Sequence, residues 1–194
     1  MHKPKVLIIG AGGHGRAVAE SIELKNEFEL GGFIDDSWPT NKNVGKYLVH
    51  GKTDNLSQYL SIADMAVIAI GNNKLRSELA EKLSRAGFEL LSIFHPAAIV
   101  SPSAIIGSGT VVMAGAIIGT EAKLGIGAII NSGANVDHHC TVGDFGHLGV
   151  NACMAGGSII GDRAWIQAGS SLGYGVSIAA DTIVLPGVGV NKEG

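Results

Sequence analysis

The chain carries two hydrophobic periods, and the change between them falls near residue 93. Before that point, short apolar runs alternate with segments whose apolar residues recur every three or four positions, as in strands alternating with helices. Strands are predicted over "KVLII", "ELGGFID", "DMAVIAIG" and "FELLSI", and helices over 14–24 and 73–86, where Leu75, Leu79 and Leu83 form the apolar face. This alternation predicts a small parallel sheet with its ligand crevice at the carboxyl ends of the strands.

From residue 100 onward, every sixth residue is aliphatic or Met, without a break. The set is Val100, Ile106, Val112, Ile118, Leu124, Ile130, Val136, Val142, Leu148, Met154, Ile160, Ile166, Leu172, Ile178 and Val184. Four residues after each comes a second, mostly small set: Ala104, Thr110, Ala116, Ala122, Ala128, Ala134, Cys140, Gly146, Ala152, Ser158, Ala164, Ser170, Val176, Thr182 and Val188. This period predicts a hexapeptide-repeat parallel β-helix with about 18 residues per coil and both sets pointing inward.

Two domains are therefore expected. Residues 1–93 would form an α/β, Rossmann-like domain, and residues 94–194 would form an all-β domain, the β-helix. Glycine, at 29 of 194 residues, is about twice as frequent as usual, which suits a chain that turns often.

The net charge of −3 and the lack of a Lys/Arg cluster argue against a nucleic-acid partner. Residues 90–120 carry no charge and are long enough to span a bilayer, but Ser, Gly, Pro and His recur through them, so no membrane span is expected.

Two cysteines, Cys140 and Cys153, occur in a chain whose first residues, "MHKPK", lead directly into a predicted strand. This usage favours reduced thiols and a cytoplasmic location. Cys140 occupies an inward small-residue position, which argues against a thiol nucleophile.

The segment "GAGGHG" matches the dinucleotide pattern G-x-G-x-x-G, and Asp35 lies twenty residues beyond Gly15. Any tight turn from strand to helix needs glycine, so the turn also fits a purely structural role. An NAD-linked oxidoreductase is a further hypothesis. About 93 residues before the repeat suffice for only half of a dinucleotide fold, which argues against it. The glycine amides and the helix N-terminus would still attract a phosphate.

Three histidines, His138, His139 and His147, fall within ten positions in "VDHHCTVGDFGH". The repeat itself requires only apolar and small residues, so these side chains exceed the needs of the fold. The adjacent pair is expected at a corner of the β-helix, pointing outward, where histidine suits proton transfer near neutral pH. Two adjacent histidines cannot easily ligate one ion, so no metal is expected.

The motifs "GAGGHG", "IDD", "AIGNN", "HPAAIVSPSA" and "VDHHCTVGDFGH" resemble those of the NeuD/PglD family of hexapeptide-repeat sugar acetyltransferases over essentially the whole chain. The resemblance implies a left-handed β-helix, a trimer and acetyl-CoA as co-substrate. It implies transfer of an acetyl group to a UDP-linked 4-amino-4,6-dideoxy-N-acetyl-hexosamine, as in bacillosamine-type glycan synthesis. A sialic-acid-type O-acetyltransferase and a non-catalytic nucleotide-sugar sensor or scaffold remain as alternatives.

The same resemblance implies roles for individual residues. The nucleotide sugar would contact Gly12, Gly13 and His14. Its base or ribose would contact Asp35 and Asp36, and its sugar would contact Gly71. The general base would be His138, and the coenzyme would contact His147, Gly156, Ala168 and Gly187. Where the family carries an acid after the base, this chain has His139, which is predicted to be catalytic together with His138. Asp137 or Asp144 is expected to supply the carboxylate.

The repeat adds a geometric expectation. His138 and His147 are nine residues apart, one and a half sides of the prism, so one subunit would hold them on different flanks. They are therefore expected to meet across an interface in a homotrimer with active sites between subunits. Gly156, eighteen residues beyond His138, is expected on the same corner, along which a pantetheine arm would reach the amides of Gly156, Ala168 and Gly187.

Overall fold

The computed structural model describes residues 3–192, and the chain divides into two compact units after His95. The predicted boundary at residue 93 lies close to this position.

The first unit is built on a parallel sheet in the order β2-β1-β5-β6. Its elements are β1 (Lys5–Ile9), α1 (Gly13–Lys25), β2 (Glu29–Ile34), β3 (Asn43–Val44), β4 (Tyr47–Leu48), a 3-10 helix (Leu56–Ser61), β5 (Met65–Ile68), α2 (Asn73–Ala86), β6 (Glu89–Leu90) and β7 (Ile93–Phe94). Strand β1 is central, and its residues 6–9 are fully buried. The predicted alternation of strands and helices is confirmed.

Both helices end as their sequences dictate. Helix α1 is followed by its C-capping residue Asn26, whose backbone is left-handed with φ of 58°, and α2 is followed by its C-capping residue Gly87, with φ of 97°. The side chain of Asn72 caps α2 by accepting a hydrogen bond from the amide of Leu75 at 2.9 Å. Leu75 itself is exposed, which corrects its predicted place on the apolar face of α2.

The second unit is a parallel β-helix of two-residue strands. They are β8 (Ile99–Val100), β9 (Ile105–Ile106), β10 (Val111–Val112), β11 (Ile117–Ile118), β12 (Lys123–Leu124), β13 (Ile129–Ile130), β14 (Asn135–Val136), β15 (Thr141–Val142), β16 (His147–Leu148), β17 (Cys153–Met154), β18 (Ile159–Ile160), β19 (Trp165–Ile166), β20 (Ser171–Leu172), β21 (Ser177–Ile178), β22 (Ile183–Val184) and β23 (Gly189–Val190). Each strand from β8 to β20 pairs with the strand one coil later, as Val111 pairs with Ile129. The predicted 18-residue coil is confirmed.

The inward rows form the core of this unit. Val112, Val136 and Ile160 are fully buried, as is the small residue Ala134. At the far end the prediction fails for Val188, which is 41% exposed because no later coil covers it among the described residues.

The corners of the β-helix place one residue at a time in the left-handed backbone region. Glycine fills many of these positions, but Glu121 (φ 56°) and His139 (φ 59°) are two that are not glycine. Their side chains project from the corner and are exposed. These two corners therefore carry exposed polar side chains. Among residues 3–192, no helix has the length and apolar character needed to cross a membrane.

Candidate active site

The glycine turn between β1 and α1 contains two kinds of glycine. A Cβ on Gly15 would lie 2.0 Å from the carbonyl oxygen of Gly10, and one on Gly10 would lie 2.9 Å from that of Ala69. A Cβ on Gly12 or Gly13 would have no other atom within 4 Å. Gly10 and Gly15 are thus required by the fold, whereas Gly12 and Gly13 leave open space at the start of α1.

The N-terminus of α1 is suited to an anion. Its capping residue, Gly12, provides no side-chain hydrogen bond, and its first turn carries no acidic residue, so no side chain of the cap or the first turn neutralises the helix dipole. His14 lies in that first turn, and its Nε2 has no hydrogen-bond partner among the described residues. Burial, assisted by the cation of Arg76, lowers the pKa of His14 to about 4. The ring is therefore neutral at physiological pH.

Two carboxylates lie where β2 ends. Asp35 accepts hydrogen bonds from the amides of Ala11 (2.7 Å) and Ser37 (2.9 Å), and Asp36 accepts from the amide of Thr53 (2.8 Å). Burial pushes the pKa of Asp35 upward, but these hydrogen bonds outweigh it and hold the pKa below its ordinary value. Asp35 ties the end of β2 to the glycine turn, and the predicted contact of both acids with base or ribose stays a prediction.

Arg76 is a fully buried residue that the sequence analysis missed. Its guanidinium donates a hydrogen bond to the carbonyl of Ile70 at 2.9 Å, so it holds the loop between β5 and α2 in which Gly71 lies. Burial lowers the pKa of Arg76 to about 9. Its spacing from Leu79 and Leu83, which places it on the buried face of α2, was the available indication.

The paired histidines follow β14 at an outward corner of the β-helix, as predicted, and both side chains are exposed. Nδ1 of His138 lies 2.9 Å from Nδ1 of His139, within hydrogen-bond distance. On its other side, Nε2 of His139 lies 3.1 Å from Oε2 of Glu121. The corner thus carries a chain of three polar groups that ends at a carboxylate.

Gly156 stacks one coil beyond His138, as predicted. A Cβ on Gly156 would lie 2.5 Å from Nε2 and Cε1 of His138, so only glycine lets the imidazole lie there. The ring of Tyr174, one coil further, has its centroid 6.5 Å from that of His138 and is exposed.

Neither carboxylate expected beside His138 hydrogen-bonds to its ring. Asp144 lies on another corner, where it accepts a hydrogen bond from the amide of Ile126 at 2.8 Å. Oδ2 of Asp137 is 3.8 Å from Nε2 of His138, too far for a hydrogen bond. Glu121 was not anticipated, although its place one coil before His139 can be read from the 18-residue period.

The predicted coenzyme contacts do not share one corner. The amide of Gly157 donates to the carbonyl of His138, whereas the amide of Gly187 donates to the carbonyl of Ala168, each at 3.0 Å, on separate stacks. The expectation that one corner carries Gly156 together with Ala168 and Gly187 is therefore wrong. The two stacks lie on different corners of the β-helix.

His147 begins β16, in a different sheet from β14, so it lies on a different flank from His138. It is 6% exposed, and its ring stacks on that of Trp165 with centroids 5.1 Å apart and an interplanar angle of 11°. Its predicted contact with the coenzyme stays a prediction. Among residues 3–192, no three His, Cys, Asp or Glu side chains are grouped to hold a metal ion.

The chain combines a hexapeptide-type β-helix that carries an outward histidine pair with a parallel α/β unit whose glycine-lined helix N-terminus suits a phosphate. This combination is typical of nucleotide-sugar acyltransferases. The PglD N-terminal domain model matches residues 5–83. UDP-N-acetylbacillosamine N-acetyltransferase of Bacillus subtilis is 36% identical over 98 residues, which are 50% of this chain and 45% of the relative. The chain thus spans less than half the length of that relative.

Two solved structures are similar over nearly the whole chain. PerB from Caulobacter crescentus, in complex with CoA and GDP-perosamine, is 39% identical with a TM-score of 0.89, covering 96% of this chain and 88% of that one. The acetyltransferase domain of PglB from Neisseria gonorrhoeae, in complex with acetyl coenzyme A, is 31% identical with a TM-score of 0.76, covering 98% and 97%. The chain belongs to the NeuD/PglD-type family of sugar acetyltransferases.

Proposed function

We propose that this chain is an acetyl-CoA-dependent N-acetyltransferase whose acceptor is a UDP-linked 4-amino-4,6-dideoxy-N-acetyl-hexosamine, as in bacillosamine-type glycan synthesis. The observation that carries the proposal is the exposed ring of His138, held beside Gly156 at a β-helix corner. The similarity to PerB, which binds CoA and GDP-perosamine, supports a nucleotide-linked amino sugar as acceptor.

In the proposed reaction His138 acts as the general base. Nε2 accepts a proton from the sugar amine as the amine nitrogen attacks the thioester carbonyl carbon of acetyl-CoA. The tetrahedral intermediate then collapses, the carbon–sulfur bond breaks and an amide remains on the sugar. The departing thiolate takes the proton from His138, which returns the enzyme to its starting state.

The α/β unit is proposed to hold the nucleotide. The amides at the start of α1 face open space because Gly12 and Gly13 have no Cβ, so a diphosphate can approach the helix N-terminus closely. His14, neutral because of its low pKa, adds an uncharged polar group to the same turn. Phosphate binding at this turn requires no nicotinamide cofactor.

A GDP-linked amino sugar is a second candidate acceptor, favoured by the match to PerB over 96% of the chain. Initial rates of CoA release should be compared with UDP-linked 4-amino, GDP-linked 4-amino and sialic-acid acceptors. We expect the UDP-linked amine to give the highest kcat/KM and a hydroxylamine-resistant amide product. A higher kcat/KM with the GDP-linked amine would favour the second candidate. A hydroxylamine-labile ester formed only on sialic acid would contradict N-acetylation.

We also propose a homotrimer with active sites between subunits, in the cytoplasm, where Cys140 and Cys153 would remain the free thiols they are in the structure. Large apolar side chains are exposed on the outward faces of the β-helix, among them Ile99, Ile117 and Ile159. Burying them against other subunits would remove apolar surface from water. The Gly156 and Gly187 stacks lie on different corners of the β-helix, so bringing them into one site would also require more than one subunit.

Light scattering tests this assembly. We expect a mass of about three times the chain mass of 19.9 kDa. A stable and fully active monomer would contradict the trimer, and with it the proposed meeting of His138 with His147 of a neighbouring subunit.

A further inference from the structure

We infer that Glu121, acting through His139, sets the tautomer of His138 so that the Nε2 lone pair of His138 is the free base. Glu121 is a positioning residue in this account, since it does not touch the reacting atoms. The inference deepens the proposed function and depends on it for its catalytic meaning. It is carried by two distances at one corner, 3.1 Å and 2.9 Å.

The first step follows from the carboxylate. An ionised carboxylate only accepts hydrogen bonds, and Oε2 of Glu121 lies 3.1 Å from Nε2 of His139. Nε2 of His139 must therefore carry the proton in this contact. A neutral imidazole has only one N–H group, so Nδ1 of His139 is left as an acceptor.

The acceptor role of Nδ1 in His139 fixes the proton position in the ring of His138. Nδ1 of His138 lies 2.9 Å from Nδ1 of His139, and a hydrogen bond between them needs one donor. Because His139 accepts, His138 donates from Nδ1. In neutral His138 the proton is then on Nδ1, and Nε2 holds a lone pair on the ring edge beside Gly156.

The backbone keeps the pair of corners in register. Glu121 and His139 are one coil apart, and the amide of His139 donates to the carbonyl of Thr120 at 2.9 Å. Both residues have the left-handed conformation that turns the chain at the corner. The family pattern has an acid directly after the base. In this chain that position is His139, whose imidazole links His138 to the carboxylate of Glu121 in the preceding coil.

The same chain stabilises His138 after it has taken a proton. The imidazolium would donate from Nδ1 to His139, whose own N–H remains directed at the negative charge of Glu121. The acidic groups close to the pair are Glu121 and Asp137, and the ring of Tyr174 faces it from the next coil but one.

The tautomer is measured directly by two-bond proton–nitrogen NMR on protein labelled with ¹⁵N-histidine. The chain has 7 histidines, and the His138 signals are assigned by their loss in His138→Gln. When both imidazoles are neutral, we expect wild-type His138 to carry its proton on Nδ1. In Glu121→Gln the carboxamide can donate to His139, so the form of His138 protonated on Nε2 should appear. A wild-type His138 protonated on Nε2 would overturn the inference.

Kinetics supply the second readout. We expect Glu121→Gln to lower kcat/KM about tenfold, mainly through kcat. In a His139→Glu background, where a carboxylate contacts His138 directly, the same change should have no further effect. Asp181→Asn is the matched control, because Asp181 also pairs across one coil, with Arg163, at a corner. Equal losses in Glu121→Gln and Asp181→Asn would contradict the inference.

The NMR result does not need turnover. If wild type transfers no acetyl group but His138 carries its proton on Nδ1 in a Glu121-dependent manner, the proposed function fails and the positioning role of Glu121 stands. If transfer occurs and the tautomer of His138 does not respond to Glu121→Gln, the proposed function stands and the positioning role of Glu121 fails.

Discussion

Replacing His138 with alanine is expected to lower kcat/KM for acetyl transfer by about 10² to 10⁴-fold while leaving nucleotide-sugar binding intact. The substitution removes the ring whose Nε2 is assigned as the base, and it leaves the glycine turn of the α/β unit unchanged. Release of CoA measures transfer, and titration calorimetry with the nucleotide sugar measures binding. Wild-type protein that binds the sugar but never turns over would favour the sensor or scaffold alternative.

His139→Glu is the companion variant, and its effect on rate should be small. Glutamate is tolerated in this backbone conformation, as Glu121 shows at the preceding corner with φ of 56°. A carboxylate beside Nδ1 of His138 would then do directly what Glu121 does through His139. Should His139→Ala be as damaging as His138→Ala, with His138→Ala still partly active, the base is on the other ring.

Gly15→Ala is expected to destabilise the protein by about 3 kcal/mol, the largest stability effect foreseen here. The new Cβ would lie 2.0 Å from the carbonyl oxygen of Gly10, and neither backbone can move without disturbing β1 or α1. Denaturant unfolding followed by circular dichroism measures the loss. An unchanged midpoint would contradict the account of the turn.

Gly13→Ala is the matched control in the same turn. A Cβ there has no other atom within 4 Å, and alanine is a better helix residue than glycine at the first position of α1. The free energy of unfolding should stay the same or rise slightly, whereas affinity for the nucleotide sugar should fall. Unchanged affinity would show that the ligand does not approach this turn.

Much of the fold is predictable because its periods are simple. Each side of the β-helix repeats an inward aliphatic residue and an inward small residue, so the period of six predicts the β-helix from sequence alone. The alternation of strands and helices predicts a parallel sheet but indicates its strand order less directly. The hairpin of β3 and β4 was missed because two residues per strand are too few to show a period. Arg76 was missed because a charged residue on a helix face is usually solvated, whereas here it holds a loop.

The candidate site was predictable where residues exceed the needs of the repeat. His138 and His139 stand out for that reason, but Glu121 does not, because an exposed corner accepts many polar residues. Its role appears only when the coils are stacked. Placing Ala168 on the corner of Gly156 failed because a separation of twelve residues is two sides of the prism, not a full coil.

Mass spectrometry of the nucleotide sugar after incubation with acetyl-CoA and wild-type protein, alongside His138→Ala, tests the central claim most directly. The account predicts that the 4-amino sugar gains one acetyl group on nitrogen, with one CoA released for each product, and that His138→Ala removes most of this conversion. An acceptor that stays unmodified with every nucleotide-linked amino sugar, while CoA release does not exceed spontaneous hydrolysis, would contradict it.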